Sequence, residues 1–182
     1  MLQRSGMVAF DAETTGINPR RDKLLGISAA NNGQSAYFFP VGYPDWPGRL
    51  LADDSIPKIA HNAIFDRSVL KQHGIIIDNI IDTMIAAHLV GELALNLKGL
   101  SARWLSMKVT SYDELKKPMG QLTLDELCGY SGPHSIAAWL LWQELEPMLR
   151  RWGSYDIFHE LEMPLVPVLS DMELNGAMID AD

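Results

Sequence analysis

The order of strand-like and helix-like segments is the feature of this sequence that most limits its fold. Three short apolar runs come first, over residues 7–11, 24–31 and 36–41, and turn-rich links containing Gly, Asn or Pro join them. Strand-like and helix-like segments then alternate along the chain. Linked strands predict an antiparallel meander, and the alternation that follows them is typical of strands joined by helices. The sequence therefore predicts an α/β fold with a mixed β-sheet flanked by helices.

The second half of the chain supplies the remaining predicted elements. We expect short strands at KIAHN (58–62) and GIII (74–77), and helices over 63–72, 82–91, 97–105, 123–128 and 135–150, with Asp82 as the N-cap of the second. Because proline is tolerated only in the first turn of a helix, the last of these should start or kink near Gly132–Pro133. A final apolar-striped helix ends at Asn175–Gly176, which suggests a chain cut at a domain junction.

Composition narrows the class of protein. The chain has 182 residues, is 47% hydrophobic and has no apolar run near the ~20 residues of a membrane span. MLQRSG lacks the apolar stretch of a secretory signal, and the single cysteine, Cys128, excludes an intrachain disulfide. These features fit the cytoplasm, or for a viral protein the host cytoplasm. The net charge of −8 implies that any bound nucleic acid is held locally, with help from divalent metals or a basic partner domain.

Two carboxylates lie one residue apart where the first strand opens into a loop. Asp11 and Glu13 share a strand face, since side chains i and i+2 point the same way. Hard divalent cations such as Mg²⁺ and Mn²⁺ prefer oxygen ligands, so this pair forms half of a metal site. The alternative is a strand end with two solvated acids.

Two further segments carry polar residues at helical spacing. In HNAIFD, Asn62 and Asp66 are four residues apart, although Asn62 also fits a plain N-cap and Asp66 a surface acid. In YSGPH, Tyr130 and His134 have the same spacing, and they suit water positioning and metal binding or proton transfer. The alternative is a packed Tyr and a surface His.

Together these segments resemble a known family. FDAETTG, HNAIFD and YSGPH, in this order, resemble the three exonuclease motifs of the proofreading domain in family A DNA polymerases, the DNA polymerase I type. The resemblance implies a ribonuclease H-like exonuclease domain over 1–155 and the start of a polymerase domain, truncated, over 156–182. The apolar stripe of the last helix would then pack on the polymerase domain of a longer chain. Without it, we expect the helix to fray or to associate with a second copy through Leu165, Val168, Leu169 and Met172.

The resemblance also implies residue roles. The family removes 3′-terminal nucleotides with two divalent metals, so Asp11 would contact both ions, Glu13 the nucleophile-side ion and Asp66 the second ion. Tyr130 would orient the attacking water. The substrate, the 3′ end of single-stranded DNA, would contact the matching positions of this chain, which are Thr14, Ile17, Asn62, Phe65 and Tyr112.

The chain departs from the family pattern at one position. The third motif ends in Asp four residues after its Tyr, and here that residue is His134. His134 could still bind the metal and shift its preference from Mg²⁺ toward Mn²⁺, Co²⁺ or Zn²⁺, or it could reach the water as a general base. The alternatives are a catalytically silent module that structures a polymerase or binds a primer end, and a free-standing RNA exonuclease. Substitution of the missing acid by Asp125 or Glu126 is disfavoured, because both precede Tyr130.

Overall fold

The structure, a computed structural model, describes residues 6–43 and 47–179. Five strands lie within them, which are β1 (Val8–Thr14), β2 (Leu24–Ala30), β3 (Ala36–Pro40), β4 (Lys58–Ala60) and β5 (Ile80–Asp82). They form a mixed sheet in the order β3-β2-β1-β4-β5. Pairing of β1 with β2 and of β2 with β3 is antiparallel, and pairing of β1 with β4 and of β4 with β5 is parallel. The predicted α/β fold is confirmed.

Helices cover both faces of the sheet, which explains why its central strand is buried on both sides. The helices are α1 (Gly48–Leu51), α2 (Ala63–Gln72), α3 (Thr83–Leu89), α4 (Leu97–Leu105), α5 (Leu124–Trp152), α6 (Tyr155–Ile157) and α7 (Met163–Asn175). On β1, Val8, Phe10 and Ala12 contribute to the core beneath α1, α2 and α7, while Ala9 faces the core beneath α3, α4 and α5. Asp11 and Glu13 lie on the same face of β1 as Ala9. Short 3₁₀ turns cover Tyr112–Glu114 and Met119–Gln121, and a π-helical turn covers Phe158–Glu162.

The long helix α5 corrects one prediction. It begins at Leu124 and continues through Pro133, so a helix start near Gly132–Pro133 is wrong, and 123–128 and 135–150 belong to one element. The alternative, a kink at that point, stays a prediction. Its start is fixed by a capping box, in which Glu126 N–H donates to the Thr123 hydroxyl and Thr123 N–H donates to the Glu126 carboxylate. Pro133 removes one internal hydrogen bond. Packing of the helix against the sheet outweighs that loss.

A second prediction is wrong at GIII. Gly74 has φ +76° and ends α2, and the N–H of Ile75 bonds back to the Leu70 carbonyl. Ile77 is fully buried in the core, which accounts for the apolar run without strand pairing. The edge strand is instead β5, where Ile80 pairs with Lys58.

The final helix, α7, packs on α2 and leaves one side exposed. Val166 and Ser170 are buried, whereas the stripe of Leu165, Val168, Leu169 and Met172 is 39–62% exposed. Association of this stripe with another domain or a second copy stays a prediction, and residues 180–182 of the segment lie outside the described part. In the described residues, no helix is both long and apolar enough to cross a membrane.

Candidate active site

The carboxylates of β1 lie on one face of the strand, close to its end. Asp11 pairs with Ser28 and Glu13 with Gly26, and the register then shifts so that Thr14 pairs with Leu24 and β2 has one extra residue, Leu25. Glu13 is buried at 4% exposure. Because Asp11 and Glu13 lie on the same face of the strand, both side chains approach His134 of α5.

His134 lies across both carboxylates. Its Nδ1 is 3.6 Å from Asp11 Oδ2 and 3.7 Å from Glu13 Oε1. Its Nε2 is 2.9 Å from the Thr110 carbonyl, and because a carbonyl only accepts, Nε2 carries a proton. Nδ1 therefore faces the carboxylates either as a second N–H or, in the neutral ring, as a lone pair aimed at a ligand.

Asp66 approaches the same space from α2. Its Oδ1 accepts a hydrogen bond of 3.2 Å from the Ala12 backbone N–H, and the side chain is 3% exposed. The bond holds the carboxyl against the end of β1, next to Asp11. The sheet and one helix on each side thus bring Asp11, Glu13, Asp66 and His134 together.

Burial and mutual charge shift the pKa of all four groups. Burial and the charge of Asp11 raise the pKa of Glu13 to about 8. Burial and the same charge raise the pKa of Asp66 well above its ordinary value. Burial alone would lower the pKa of His134, but the nearby carboxylates of Asp11 and Glu13 favour the charged imidazolium more strongly and raise the pKa to about 10. For Asp11, burial acts upward and the pairing with His134 prevails, so its pKa is lowered.

These shifts show how the cluster is neutralised by the protein alone. At neutral pH the imidazolium of His134 pairs with the carboxylate of Asp11, Glu13 favours the protonated form, and the pKa shift of Asp66 acts in the same direction. These shifts reduce the negative charge of the cluster. A bound cation would replace these protons, since metal ligands must be deprotonated.

The donor set fits a divalent cation. Asp11, Glu13 and His134 each offer a ligand atom, and the three atoms lie within 4.8 Å of one another. Glu13 Oε1 is buried and makes no hydrogen bond with any described residue. A buried carboxylate oxygen without a hydrogen-bond donor is costly, and a cation would satisfy it. Asp66 could complete a second position beside Asp11.

Tyr130 lies one helical turn before His134, as predicted. The two rings are 4.5 Å apart at 88°, an edge-on contact. Burial and the charges of Glu13 and Asp11 raise the pKa of the Tyr130 hydroxyl far above its ordinary value. The hydroxyl therefore stays protonated and can donate a hydrogen bond.

A cleft of about 470 Å³ is lined by all ten predicted site residues. Asp11, Glu13 and Asp66 lie with Tyr130 and His134 at its floor. Its walls include five further predicted residues, which are Thr14, Ile17, Asn62, Phe65 and Tyr112. Ile17 and Tyr112 are 77% and 44% exposed, so apolar surface is available at the mouth. The structure places these residues together, and their individual roles stay predictions.

Asn62 is not the plain N-cap that its position suggested as an alternative. It has φ +73° and its side chain makes no capping hydrogen bond. The carboxylate of Asp82 instead accepts from the N–H groups of Asn62, Ala63 and Met84, and so caps α2 as well as α3. The Asn62 side chain is exposed and free to line the cleft.

Sequence reasoning missed several cleft residues. His61 lies beside Asn62 at the end of β4, and its Nε2 donates to the Leu95 carbonyl at 2.8 Å. Its place after a buried strand was a usable signal. No sequence pattern marks the others, because they belong to loops and helix starts: Met84, Leu95, Asn96, Leu97 and Met119.

Comparison with known protein families identifies the family to which this chain belongs. Residues 1–150 match the 3′-5′ exonuclease family of the DNA polymerase A type. The chain belongs to this 3′-5′ exonuclease family. DNA polymerase I of Chloroflexus aurantiacus is 29% identical over 100% of the chain, and that of Synechocystis sp. is 32% identical over 96%. The chain spans about a fifth of the length of these curated relatives, 21% and 20% respectively.

Solved structures agree on the fold. NrnC of Brucella melitensis superposes with a TM-score of 0.85 at 26% identity, covering 98% of this chain and 90% of NrnC. NrnC has also been solved with bound Mg²⁺, with a TM-score of 0.81 at 28% identity, covering 98% of this chain and 90% of that one. RNase D of Escherichia coli, with a TM-score of 0.75 at 16% identity, covers 97% of this chain and 48% of its own, and supports the ribonuclease H-like fold alone.

Proposed function

We propose that this chain is a metal-dependent 3′-5′ exonuclease that hydrolyses the terminal phosphodiester of single-stranded DNA. The observation that carries the proposal is the convergence of Asp11, Glu13 and His134 within 4.8 Å, in a chain of the exonuclease family. The buried Glu13 Oε1 supports it, because that atom makes no hydrogen bond with a described residue and a bound cation would satisfy it.

Each group of the site has a proposed task. Asp11, Glu13 and His134 would hold one divalent ion, and Asp66 with Asp11 would hold a second. Two such ions supply a hydroxide nucleophile at neutral pH and stabilise the leaving 3′ oxygen. Tyr130, kept protonated, would donate its hydroxyl hydrogen bond to the attacking water and fix its direction.

The cleft walls suit the end of a single strand. Phe65 and Tyr112 offer aromatic faces on which bases stack with little sequence preference. Ile17, exposed at the mouth, would act as a wedge at the terminal bases. Thr14 and Asn62 would add contacts along the path, although the Thr14 hydroxyl already donates to the Gly16 carbonyl.

His134 gives the site its proposed metal preference. The Thr110 carbonyl fixes the Nε2–H form, so Nδ1 is the nitrogen that would bind a metal. We infer that this imidazole takes the position of the family's last acidic ligand. Imidazole suits Mn²⁺, Co²⁺ and Zn²⁺ better than Mg²⁺.

The test is degradation of 3′-labelled single-stranded DNA in Mg²⁺ and in Mn²⁺. We expect the wild type to release terminal nucleotides, more efficiently in Mn²⁺, and Asp11→Ala to be inactive. A silent wild type, with activity gained only in His134→Asp, would overturn the proposal. That result would support the catalytically silent module instead, and metal titration of the wild type would then show weak or single-ion binding.

A second candidate substrate has its own support. The chain covers 90% of NrnC but about a fifth of the DNA polymerase I relatives, and NrnC has been solved bound to pGG, at a TM-score of 0.83 and 26% identity. The alternative is a free-standing exonuclease that acts on short oligonucleotides such as pGG. Comparing kcat/KM for pGG with that for a longer single-stranded DNA, and for RNA of the same sequence, separates the two candidates.

The polymerase domain of a longer chain, of which these 182 residues would be a part, is a further proposed partner. The family match ends at residue 150, close to the predicted boundary at 155, and the relatives extend far beyond the aligned region. Assignment of residues 156–182 to the start of that domain stays a proposal. Its support is the exposed apolar stripe of α7.

A further inference from the structure

The loop at the cleft mouth contacts the end of the last helix. The Arg20 guanidinium donates from Nε, at 2.8 Å, and from Nη2 to the backbone carbonyl of Glu173. These residues are 153 positions apart. We call this contact the Arg20–Glu173 latch. It links the loop over residues 15–23, which carries Ile17, to the C-terminal turn of α7.

Hydrogen bonds within the loop over residues 15–23 hold it together, so that a displacement of Arg20 should also displace Ile17. The Asp22 carboxylate accepts from the Thr15 hydroxyl at 3.1 Å and from the Asn18 N–H at 2.8 Å. A Cβ on Gly16 would lie 2.6–2.8 Å from the same carboxylate, so the two chain segments are closely packed. Ile17 therefore projects from a compact loop and not from a free strand of chain.

The other end of the latch is anchored to α2. The Asp171 carboxylate pairs with Arg67 Nη1 and Lys71 Nζ, each at 2.7 Å. The hydroxyls of Ser68 and Ser170 lie 2.9 Å apart in the same interface. These contacts fix α7 on α2, the helix that also carries Phe65 and Asp66.

Gly176 shows that the close approach at the latch is specific. It has φ +66°, a conformation that L side chains rarely adopt, and it follows directly after α7. A Cβ at this position would overlap Nη2 of Arg20. The chain therefore has the one residue here that lets the guanidinium reach the helix carbonyl.

We propose that Arg20 is a positioning residue, which sets the distance between the Ile17 loop and α2 across the mouth of the cleft. The path runs from α2 to α7 through Asp171, and from α7 to Ile17 through the latch. This inference rests on the proposed nuclease function, because it assigns Ile17 to the substrate end. Arg20 itself contacts no predicted metal ligand.

The test compares Arg20→Ala with Arg21→Ala. Arg21 is exposed, its side chain makes no hydrogen bond or ion pair with a described residue, and its removal changes the net charge equally. In Arg20→Ala we expect faster amide exchange at residues 16–18 and a KM for single-stranded DNA raised about three- to tenfold, the scale of a lost hydrogen-bond pair. The kcat should change less, since the metal ligands are untouched. Arg20→Lys should restore part of the KM, and Arg21→Ala should resemble the wild type.

A second variant reaches the latch from its other side. Gly176→Ala leaves Arg20 in place but displaces its guanidinium, and it should reproduce the exchange and KM changes. Unchanged exchange at 16–18 in both variants, or faster exchange with unchanged KM, would overturn the proposal. If the wild type has no nuclease activity, the proposed function fails, and amide exchange with the binding of a fluorescein-labelled single-stranded oligonucleotide still decides on the latch.

Discussion

The two sides of the carboxylate cluster are neutralised by different means. On the α5 side, His134 places Nδ1 within 3.7 Å of both Asp11 and Glu13 and supplies a positive charge. On the α2 side, the one hydrogen-bond donor to the Asp66 carboxyl among the described residues is the Ala12 N–H, at 3.2 Å, and burial raises the pKa of Asp66. On the α5 side the imidazolium of His134 neutralises the carboxylates. On the α2 side the raised pKa of Asp66 favours neutralisation by a proton on that carboxyl.

This difference has a consequence for the proposed metal ions. On the Asp66 side a cation would have to displace a proton from a carboxyl that faces Asp11. On the His134 side a cation would have to displace the imidazolium proton, and it would then gain a nitrogen ligand whose orientation the Thr110 carbonyl fixes. We expect the two positions to differ in affinity, metal preference and pH dependence.

Asp11 belongs to both sides, so its loss should have the largest effect. In Asp11→Asn the nuclease activity should fall by about a thousandfold or more, because groups that act as a unit fail together. Single-turnover release of the terminal nucleotide from labelled single-stranded DNA measures it.

The matched control is Asp125→Asn, which makes the same chemical change at an exposed position on α5. Its activity should equal that of the wild type. A comparable loss in Asp125→Asn would show that this acid reaches the site, against the reading in which His134 completes it.

Exchange of His134 for Asp should make the two sides alike. In His134→Asp we expect the ratio of Mn²⁺-supported to Mg²⁺-supported activity to fall about tenfold, since an oxygen ligand replaces imidazole. Parallel kcat/KM measurements in the two metals test this. An unchanged ratio would mean that the imidazole does not contact the ion.

Local sequence signals predicted most of the fold. The predicted ranges of α2 and α4 both match the structure. The Asn96 side chain caps α4, whereas α2 is capped from a distance by Asp82. Predictions failed where packing decided the outcome. Pro133 lies inside α5 because burial of that helix exceeds one missing hydrogen bond, and GIII fills the core without pairing.

The residues that line the cleft were easier to predict than its electrostatics. Spacing pointed to the acids, to Asn62 and to the Tyr130–His134 pair, and the family resemblance added the predicted substrate contacts, whose roles stay predictions. The Thr110 carbonyl that fixes His134, and the orphaned Glu13 Oε1, depend on long-range packing that no local pattern records. The same is true of the double cap at Asp82, which left Asn62 free.

Metal binding should depend on pH more steeply through His134 than through a carboxylate. The pKa of His134 is raised to about 10, so the proton on Nδ1 competes with the ion throughout the neutral range. Affinity for Mn²⁺ should therefore rise with pH, by up to about tenfold per unit for each proton displaced below its pKa. Calorimetric titration at pH 6.5, 7.5 and 8.5 measures the slope. His134→Gln, which has no titratable group at this position, should show a shallower slope, and equal slopes would exclude Nδ1 as the competing group.

The metal-free protein offers the smallest and most direct test of the comparison. Asp66→Asn replaces a buried carboxyl whose pKa is raised well above its ordinary value, and it keeps an oxygen for the Ala12 N–H, so the melting temperature should stay the same or rise. His134→Asn removes the cation from two buried carboxylates and should lower the free energy of unfolding by about 2 kcal/mol, or the melting temperature by roughly 5 °C.

The pH dependence of this loss follows from the raised pKa of His134. Stabilisation by His134 is complete below its ordinary pKa of 6.5 and disappears as pH rises through about 10. Melting curves with chelator at pH 6 and pH 9 should therefore show a larger gap between His134→Asn and the wild type at pH 6. A gap that is equal at both pH values, or a destabilised Asp66→Asn, would mean that the two sides are neutralised in the same way.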